Sequence, residues 1–409
     1  MNIWIINHYA IPPGQPGGTR HYDLARELMA AGHRPLIIAA NFNHWSRKDY
    51  HPIGNALRWE TCEKGVPFLW LATPGYGGNI ARLHNMVTFS LRLRTMFAHT
   101  SSNKPDIIIG SSPHLFGAFA GYLLAKRLQV PFALEIRDIW PLSMIEVAGV
   151  APWHPMIALL SRIEKWLYRH ADGIVSLLPG TDRHINACVA APGPFLWLPN
   201  GIAVEKLPSF SEKPHSQPFT ILYAGSHGDA NQLDCILEAA DLLKKTEVPV
   251  CFEFVGQGPE KPRLIEKARS MGLANVSFEA PLPKELIYGR LAEADAFIVS
   301  LKKTPLYRFG ISLNKLFDYM AVGKPVIFAG DAYQNPVALS DCGIVTPPEN
   351  ATAIANSIRK LLAMSAEDRG AMGRRGRQFV AHTHNTRCLA AQLTQFLRGI
   401  IRKHAEKAV

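Results

Sequence analysis

The chain has 409 residues, which is too long for one ordinary hydrophobic core, so two or three domains are expected. Hydrophobic residues make up 47% of it and charged residues 19%, which excludes a disordered chain. The formal net charge of +11 favours an anionic partner: nucleic acid, an anionic membrane surface or an acidic small molecule. Nucleic acid is the least favoured, because there is no zinc-finger spacing, RNP-type aromatic motif or long basic block.

The cysteines and the apolar runs indicate where the protein works. The six cysteines are scattered, without a C-x-x-C pair or metal-ligand spacing, which favours free thiols in a reducing compartment. The apolar start at residues 3–6 lacks the basic flank of a signal peptide. The most membrane-like run, residues 107–124, is interrupted by a Gly-Ser-Ser-Pro-His segment, so strand, loop and helix are expected there. We therefore expect a cytoplasmic protein.

Short β-rich apolar runs alternate with longer amphipathic segments, which predicts βαβ units around parallel sheets. In the first half, the predicted strands are residues 3–6, 35–40, 106–110, 132–136, 173–177 and 195–198. The predicted helices between them are residues 19–31, 82–98, 115–128 and 154–169.

Residues 204–218 are polar and rich in proline, serine and lysine, which predicts a linker. The alternation then restarts, with predicted strands at 220–224, 250–255, 275–278, 296–300 and 325–328. Predicted helices follow at 232–243, 259–271, 284–292, 313–321, 352–363, 366–382 and 385–403. One arrangement open to the last helix is to cross back to the first domain. The expected fold class is α/β, with two Rossmann-like domains, residues 1–203 and 219–384, facing each other across a cleft.

The loop after the first strand carries the glycine pair Gly17-Gly18, followed by Thr19 and Arg20 at the start of a helix. Paired glycines let a ligand approach the backbone closely, and Thr19 can cap a helix whose N-terminus attracts anions. An ordinary strand-to-helix loop explains the same residues, so this motif is weak when taken alone.

The first loop of the second domain runs from Gly225 to Asn231, and its small residues offer unhindered amides before a helix predicted near Asn231. Such a loop suits a pyrophosphate. A second glycine-containing loop, from Phe309, feeds a short helix on which Lys315 and Asp318 share one face. A carboxylate there can bind both hydroxyls of a ribose. The alternative is an ordinary helix with a surface Lys–Asp pair.

In this order, the motifs resemble those of glycosyltransferase family 4, the retaining GT-B enzymes. They are GGTR with LARELMAAGH near the start, Pro199-Asn200-Gly201-Ile202, the Gly225 loop, Val255-Gly256-Gln257-Gly258-Pro259, and SLNKLFDYMAVGKPVI. The segment EIRDIWP at 135–141 is similar to enzymes that add amino- or deoxy-sugars to polysaccharide precursors, such as O-antigen. The resemblance implies an acceptor-binding domain first and a nucleotide-sugar-binding domain second, with Asn200, Gly256 and Gly258 among the residues near the donor.

The resemblance also implies particular donor contacts. Asp318 stands where the family has the second glutamate of its Glu-x7-Glu motif, a ribose ligand. The first glutamate falls on Gly310, so we expect the sugar to be bound by backbone amides of Gly310, Ile311 and Ser312, or by Asn314.

Two further departures from the family pattern concern charge. The family's Arg and Lys that neutralise the pyrophosphate correspond here to Ser226 and Asn231. Positive charge is then expected from other residues, and the candidates are Lys315, Arg308, His227 and, from the other domain, Arg20.

A His-Asp pair that the family places near the reacting sugar reads Arg137-Asp138 here, which replaces a candidate base with a permanent cation. An internal salt bridge is the alternative role for this pair. The catalytic candidates are therefore Arg137, Asp138 and Lys315. They suit a front-face transfer in which the departing phosphate accepts the proton. No metal cofactor is expected, since no Asp-x-Asp motif is present.

The expected function is retaining transfer of a hexosyl or N-acetylhexosaminyl group from a nucleotide sugar, by resemblance a UDP-sugar, to a glycan or polyprenyl-diphosphate-linked acceptor. Helices around 82–99 and 154–168 interleave cations with apolar residues and either dock on an anionic membrane or simply face the core. The rival functions are a sugar-nucleotide epimerase or hydrolase, and a degenerate sugar-nucleotide-binding protein.

Overall fold

The computed structural model describes residues 1–15, 17–51, 54, 57–62, 65–96, 104–207 and 218–408. The chain folds into two compact units. Unit 1 contains Met1–Asn200 and Thr386–Val409, and unit 2 contains Gly201–Asn385. Of the predicted linker, Val204–Lys206 form a 3₁₀ turn, while residues 208–217 lie outside the described residues.

Unit 1 is built on an eight-stranded sheet with the order β3-β4-β2-β1-β5-β6-β7-β8, in which only β3 is antiparallel to its neighbour. The central strands are almost wholly apolar and buried, as expected for parallel strands covered on both faces. The strands are β1 (Asn2–Ile6), β2 (Arg34–Ala40), β3 (Leu57–Thr61), β4 (Pro67–Leu71), β5 (Ile107–Ser111), β6 (Phe132–Ile136), β7 (Gly173–Ser176) and β8 (Phe195–Trp197).

Helices cover both faces of this sheet. They are α1 (Arg20–Ala30), α2 (Asn79–Thr95), α3 (Leu115–Leu128), α4 (Leu142–Glu146), α5 (Pro155–His170) and α6 (Thr181–Cys188). Because side chains alternate along a strand, Ile3 and Ile5 of β1 belong to the core beneath α1, whereas Ile6 lies against Gly121 of α3. The helices α2, α3 and α5 are neighbours on that second face.

Unit 2 carries a six-stranded, wholly parallel sheet with the order β11-β10-β9-β12-β13-β14. Its strands are β9 (Phe219–Ala224), β10 (Val250–Val255), β11 (Val276–Glu279), β12 (Ala296–Ser300), β13 (Val326–Ala329) and β14 (Gly343–Thr346). Its helices are α7 (Asp234–Lys245), α8 (Lys261–Ser270), α9 (Lys284–Ala292), α10 (Asn314–Val322), α11 (Pro336–Ser340), α12 (Ala351–Ala363) and α13 (Ala366–Thr383). Two separate apolar clusters fill the two sides of the sheet.

The last helix, α14 (Thr386–Ala408), belongs to unit 1 rather than to the unit that precedes it in the chain. Its residues Leu389, Leu393, Leu397 and Ile400 are buried in the core of unit 1, where α14 packs against α1. Gly173 at the start of β7 makes room for it, because a Cβ there would lie 2.4 Å from Cδ1 of Ile400.

In each sheet, the strands that follow the first strand are added on one side of it, and the later strands are added on its other side. This change of direction falls between β1 and β5 in unit 1, and between β9 and β12 in unit 2. Open parallel sheets bind ligands beyond the carboxyl ends of the strands at such a position. In the part of the chain that the structure describes, no helix combines the length and apolar character needed to cross a bilayer.

Candidate active site

The first loop of unit 2 is held in place by two glycines of the neighbouring loop. Gly256 has φ +146°, and a Cβ on it would lie 2.0 Å from the carbonyl oxygen of Gly225. A Cβ on Gly258 would lie 2.3 Å from the carbonyl oxygen of His227. The amide of Gly225 also donates to the carbonyl of Val255 at 2.9 Å. Gly256 and Gly258, expected to approach the donor, are therefore needed to let two backbone loops pack together.

The amino group of Lys315 reaches this loop from α10. Its Nζ donates to the Tyr223 hydroxyl at 2.8 Å and to Oδ1 of Asn231 at 2.5 Å. It also lies 4.5 Å from the centre of the Tyr223 ring. Gly225 makes room for it, because a Cβ there would stand 3.2 Å from Cδ of Lys315. The cation is thus placed against Asn231, the position where the family resemblance implies a basic residue.

Burial lowers the pKa of Lys315 to about 7, since a charged ammonium loses hydration when it is enclosed. Tyr223 and Asn231 accept its hydrogen bonds but carry no negative charge to compensate it. A phosphate placed beside Lys315 would provide that compensation. Lys315 is therefore the described cation of unit 2 best suited to an anionic ligand at the Gly225 loop.

Two tyrosines that the sequence reasoning missed fix the shape of the loop. The Tyr223 hydroxyl donates to the carbonyl of Ser226 at 2.6 Å, and Asn231 donates to the same oxygen at 2.9 Å. The Tyr319 hydroxyl accepts from the amide of Ala224 at 2.6 Å and donates to its carbonyl at 2.8 Å. The spacing of Lys315 and Tyr319, four residues apart on α10, is the signal that both point towards the end of β9.

The helix after this loop begins later than predicted. Asp229–Asn231 form a 3₁₀ turn, Gln232 has φ +43°, and α7 starts only at Asp234. Asp234 occupies the first turn of α7 and forms ion pairs with Arg263 and Lys267. The expectation that a helix N-terminus at Asn231 would bind a pyrophosphate is therefore wrong, because that helix end lies further on and carries its own carboxylate.

His227 does not supply the positive charge expected of it. The ring is fully buried next to Tyr223, Phe254 and Phe278, with centroid distances of 5.8–6.3 Å. Burial, together with the nearby Lys261 and Lys315, lowers its pKa to about 4, so the imidazole is neutral at physiological pH. Arg308, another candidate cation, is exposed and lies with its guanidinium 4.5 Å from the centre of the Phe309 ring.

Glycine stands at position 310 for a conformational reason. Gly310 has φ +96° and ψ −174° where the 3₁₀ turn Pro305–Phe309 ends, a region of backbone space that essentially only glycine occupies. A glutamate side chain at this position would strain the loop. Ile311 is buried in the core of unit 2, so only its backbone remains available to a ligand. Ser312 is half-buried and Asn314 is exposed at the start of α10, which has no side-chain cap.

Asp318 lies one turn after Lys315 on α10 and is partly buried. Its Oδ1 accepts a hydrogen bond from the Tyr288 hydroxyl of α9 at 2.7 Å. This partner was not foreseen from the sequence. The hydrogen bond orients the carboxylate, whose remaining acceptor capacity suits vicinal hydroxyls. Lys315, Asn231 and Asp318 thus make up the charged and polar centre of the unit 2 site.

In unit 1, Arg20 has a structural role instead of the predicted contact with the donor. Its Nε donates to Glu135 at 2.9 Å, and its terminal nitrogens donate to the carbonyls of Leu198 and Pro199. The second oxygen of Glu135 pairs with His21 Nε2 at 2.6 Å. Burial favours a raised pKa for Glu135, but His21 and Arg20 hold it well below its ordinary value. This buried network joins α1 to β6 and to the residues after β8.

Arg137 and Asp138 follow β6, and no ion pair links them in the described part of the chain. The Arg137 amide donates to the Ser112 hydroxyl at 3.0 Å, while its side-chain Nε is buried without a hydrogen-bond partner. Burial lowers the pKa of Arg137 and raises that of Asp138. An arginine with a buried nitrogen of this kind suits an anion that enters from outside the protein.

The glycine pair of unit 1 has fewer features of a ligand-binding loop than the Gly225 loop of unit 2. Gly17 has φ +126° and lies under the Trp45 ring, which a Cβ would approach to 3.0 Å. Gly18 is half-buried beside it. Thr19 makes no capping hydrogen bond to the helix and donates instead to Asp23 at 2.6 Å, so its predicted capping role is wrong. Asn200, the last residue of the first segment of unit 1, is buried.

Comparisons with known proteins agree with this architecture. A family model described as "Glycosyl transferase 4-like domain" matches residues 17–201, and one described as "Glycosyl transferases group 1" matches residues 206–379. The chain is 24% identical over 400 residues to the putative colanic acid biosynthesis glycosyl transferase WcaI of Escherichia coli K12, covering 92% of this chain and 95% of that protein.

Two solved structures share the fold. A sucrose-phosphate synthase from Thermosynechococcus elongatus matches with a TM-score of 0.76 at 17% identity, over 98% of this chain and 99% of that one. Anabaena HepE, solved in complex with UDP and glucose, matches with a TM-score of 0.68 at 14% identity, over 98% of this chain and 100% of that one. With both family models matched in order over most of its length, the chain belongs to glycosyltransferase family 4 and has the GT-B fold.

Proposed function

We propose that the protein transfers a hexosyl or N-acetylhexosaminyl group from a UDP-sugar to a hydroxyl of a glycan or polyprenyl-diphosphate-linked acceptor, with retention of configuration. The proposal that unit 2 binds the donor rests on the amino group of Lys315, whose Nζ lies 2.5 Å from Oδ1 of Asn231 beside the Gly225 loop. HepE, a structural neighbour, is described with UDP and glucose bound. WcaI, a relative of 24% identity, is named for colanic acid biosynthesis, so cell-surface polysaccharide is the class of product we propose.

The donor contacts follow from the positions within unit 2. Lys315 binds the diphosphate together with the loop amide of Ser226, and the amides that open α10 bind the sugar hydroxyls or the phosphate. Asp318 binds the ribose hydroxyls. Lys315 supplies positive charge to the leaving diphosphate, a task that other transferases give to a metal, so we propose a transfer that requires no metal cofactor.

The chemistry we propose is front-face transfer through an oxocarbenium-like state. The acceptor hydroxyl forms its bond to the anomeric carbon on the face from which the diphosphate leaves, and the departing phosphate oxygen accepts the hydroxyl proton. Arginine stands at position 137, where the family resemblance implies a histidine, so the transfer we propose uses no histidine base there. Arg137 stabilises charge that develops in the transition state, with Asp138 beside it in sequence.

Two variants test the donor and catalytic assignments separately. Asp318→Ala is expected to weaken UDP binding about tenfold and to weaken binding of 2′-deoxy-UDP less, because that nucleotide has only the 3′-hydroxyl left to lose its contact. Equal losses for both nucleotides in calorimetry would contradict the ribose assignment. Arg137→Ala is expected to slow single-turnover transfer with little change in UDP affinity. Full single-turnover transfer by this variant would remove Arg137 from the mechanism.

Product analysis separates the transferase from its rivals. Each nucleotide sugar of a panel is incubated with and without a bacterial lipid extract. A transferase produces a glycosylated lipid and free UDP only when both are present. Release of the free sugar, or conversion to an epimer, without extract would favour a hydrolase or an epimerase. Binding of the donor without any turnover would favour a degenerate binding protein.

We further propose peripheral contact with the cytoplasmic face of an anionic membrane. The outer face of α2 exposes Ile80 and Leu91 at 87% and 56%, and α5 exposes Trp166 at 44%. On α5 the exposed cations Arg162 and Lys165 lie close to Trp166 in sequence. Both helices also bury their other faces, so they combine core packing with an exposed basic and apolar surface. The predicted continuation of α2 beyond residue 96 lies outside the described residues.

Liposome flotation at low salt tests this contact. We expect binding to vesicles that contain anionic lipid, with loss of binding in Leu91→Glu and Trp166→Glu. The matched control is Leu339→Glu, since Leu339 of unit 2 is exposed to a similar extent, 57%. Absence of wild-type binding, or an equal loss in the control, would refute the membrane proposal.

A further inference from the structure

A group of aromatic and basic side chains lies at the position in unit 1 where open parallel sheets bind ligands. Tyr9 follows β1, His44 follows β2, Tyr76 follows β4, His114 follows β5, and Arg82 reaches them from α2. Their rings contact one another: the His44 and Tyr9 centroids are 5.5 Å apart, and those of Tyr9 and His114 are 5.8 Å apart. We refer to these five residues together with His8 and Arg47 as the basic pocket.

Two arginines in the basic pocket interact with aromatic groups rather than with carboxylates. Arg82 donates to the Tyr9 hydroxyl from Nη2 at 3.3 Å and from Nε at 3.4 Å. The guanidinium of Arg47 lies 5.0 Å from the centre of the Tyr76 ring, and its Nη1 donates to the Tyr76 carbonyl at 3.0 Å. Among the described residues, neither arginine forms an ion pair. Two positive charges thus meet in one place without a negative partner.

The floor of the basic pocket holds polar atoms without partners. His8 is only 3% exposed, and neither of its ring nitrogens has a hydrogen-bond partner. Its ring lies 4.6 Å from that of His114 and 4.5 Å from that of Phe89. The buried Asn85 interacts with His8 and opposes the lowering of its pKa, although its Oδ1 forms no hydrogen bond of ordinary geometry. Native proteins rarely leave buried polar groups unsatisfied, so such a cluster beside a binding position indicates a ligand.

The three histidines of the basic pocket are neutral and add no charge of their own. Burial lowers the pKa of His44 to about 4 and that of His114 to about 3, and it holds the pKa of His8 well below its ordinary value. The charge of Arg82 contributes to each of these lowered values. The positive potential of the basic pocket therefore comes from Arg82 and Arg47, and an anion would find no carboxylate competing for them in an ion pair.

We infer that Arg82 and Arg47 bind a phosphate group of the acceptor, so that the acceptor is a sugar phosphate or sugar diphosphate rather than a neutral glycan. This inference rests on the proposed function, in which unit 1 binds the acceptor. Arginine suits the task because its planar guanidinium forms paired hydrogen bonds to phosphate oxygens. The Tyr9 hydroxyl, which accepts from Arg82, is an additional donor beside the two guanidinium groups.

Calorimetry with geranyl diphosphate tests the inference. The protein is first saturated with UDP, so that the diphosphate-binding loop of unit 2 is filled and only a second site can respond. We expect geranyl diphosphate to bind to the wild-type protein and to bind about tenfold more weakly in Arg82→Gln and in Arg47→Gln. Arg82→Lys is expected to retain part of the affinity because it keeps the charge.

The matched control is Arg34→Gln, which removes an exposed arginine at the opposite, amino end of β2 and is expected to leave the affinity unchanged. A second readout is the pKa of His44 followed by NMR. A bound diphosphate is expected to raise it from about 4, because the anion offsets Arg82. Arg47 is exposed, so its variant is expected to fold even if Arg82→Gln does not.

Inorganic pyrophosphate and geraniol identify the source of the phosphate. Tighter binding of geranyl diphosphate than of pyrophosphate supports a lipid-linked acceptor, and equal binding supports a soluble phosphorylated one. The inference is overturned if geraniol binds as well as geranyl diphosphate, or if the two Gln variants bind the diphosphate like the wild type. Failure of UDP to bind in the first step would instead refute the proposed donor function.

Discussion

Lys315 permits the sharpest test of the donor site, because its pKa of about 7 is far below that of an ordinary lysine. Two opposite unit charges 4 Å apart in a partly buried site attract with about 4 kcal/mol. That energy corresponds to about three pKa units, so binding a diphosphate would raise the pKa of Lys315 to about 10. At pH 8 the free amine is about one-tenth protonated and the bound amine almost fully protonated. UDP binding is therefore expected to take up about 0.9 proton.

Calorimetry at pH 8 in buffers of different ionisation enthalpy measures this uptake directly. The second ionisation of the UDP phosphate lies near pH 6, so it adds little at pH 8. Since the bound state requires the protonated amine, UDP affinity is expected to fall about tenfold per pH unit between pH 7.5 and 8.5. Lys315→Met is expected to abolish both the uptake and the pH dependence and to weaken binding at pH 7 about tenfold or more.

Lys360→Met is the matched control, since Lys360 is an exposed lysine on α12 of the same unit. It is expected to behave like the wild type in both measurements. Tight UDP binding without proton uptake would mean that Lys315 does not face the diphosphate. Proton uptake that persists in Lys315→Met would assign it to another group and refute the reasoning.

Three further predictions concern the loop, the buried network and metal. Gly310→Ala is expected to lower the free energy of unfolding by about 1–2 kcal/mol, because φ is +96° at this position. Gly289→Ala should raise it by about 0.5–1 kcal/mol, because alanine favours the helix α9 and its Cβ would meet no neighbouring atom. Urea titration measures both changes. Glu135→Gln leaves Arg20 buried without its anion and should cost about 3–5 kcal/mol by the same assay. The ion pairs of Glu135 stabilise the wild type above the ordinary pKa of glutamate and are lost as pH falls towards the lowered pKa of the folded state. The free energy of unfolding should therefore depend less on pH in the variant than in the wild type between neutral and acidic pH. Transfer should continue at an unchanged rate in EDTA, and a loss that added Mg²⁺ or Mn²⁺ reverses would contradict the metal-free proposal.

The parallel strands were the most predictable part of the fold. Strands β6, β10 and β12 and helices α3 and α9 have the predicted bounds; the three strands and α3 are mostly apolar, and α9 begins directly after Pro283. The hairpin β3–β4 was missed, although the short edge strand β3 alternates apolar and polar residues and β4 is a buried apolar run. The short β14 was also missed, because four residues carry too little periodicity to be distinguished from a loop.

The sequence predicted which segments lie together in unit 2 better than it predicted which contacts their individual residues make. The Gly225 loop and α10 lie together at the change of direction in the unit 2 sheet, as the ordered motifs indicated. Sequence spacing could not show that Gly256 and Gly258 support a neighbouring backbone, because the contact depends on how two loops pack. Nor could it show that Arg20 pairs with Glu135, a residue 115 positions away, or that burial leaves His227 neutral. Such roles depend on tertiary contacts and desolvation.

The placement of α14 has a consequence for biosynthesis. Unit 2 is a continuous stretch of chain, whereas unit 1 takes its first 200 residues from the beginning and its final helix from the end. On the ribosome, unit 2 is complete before unit 1 receives Leu389, Leu393 and Ile400, so the core of unit 1 remains uncovered while most of the polypeptide is already made. Interruption of synthesis near residue 385 should therefore yield a chain with a native second unit and an aggregation-prone first one, which chaperones would have to protect until α14 is made.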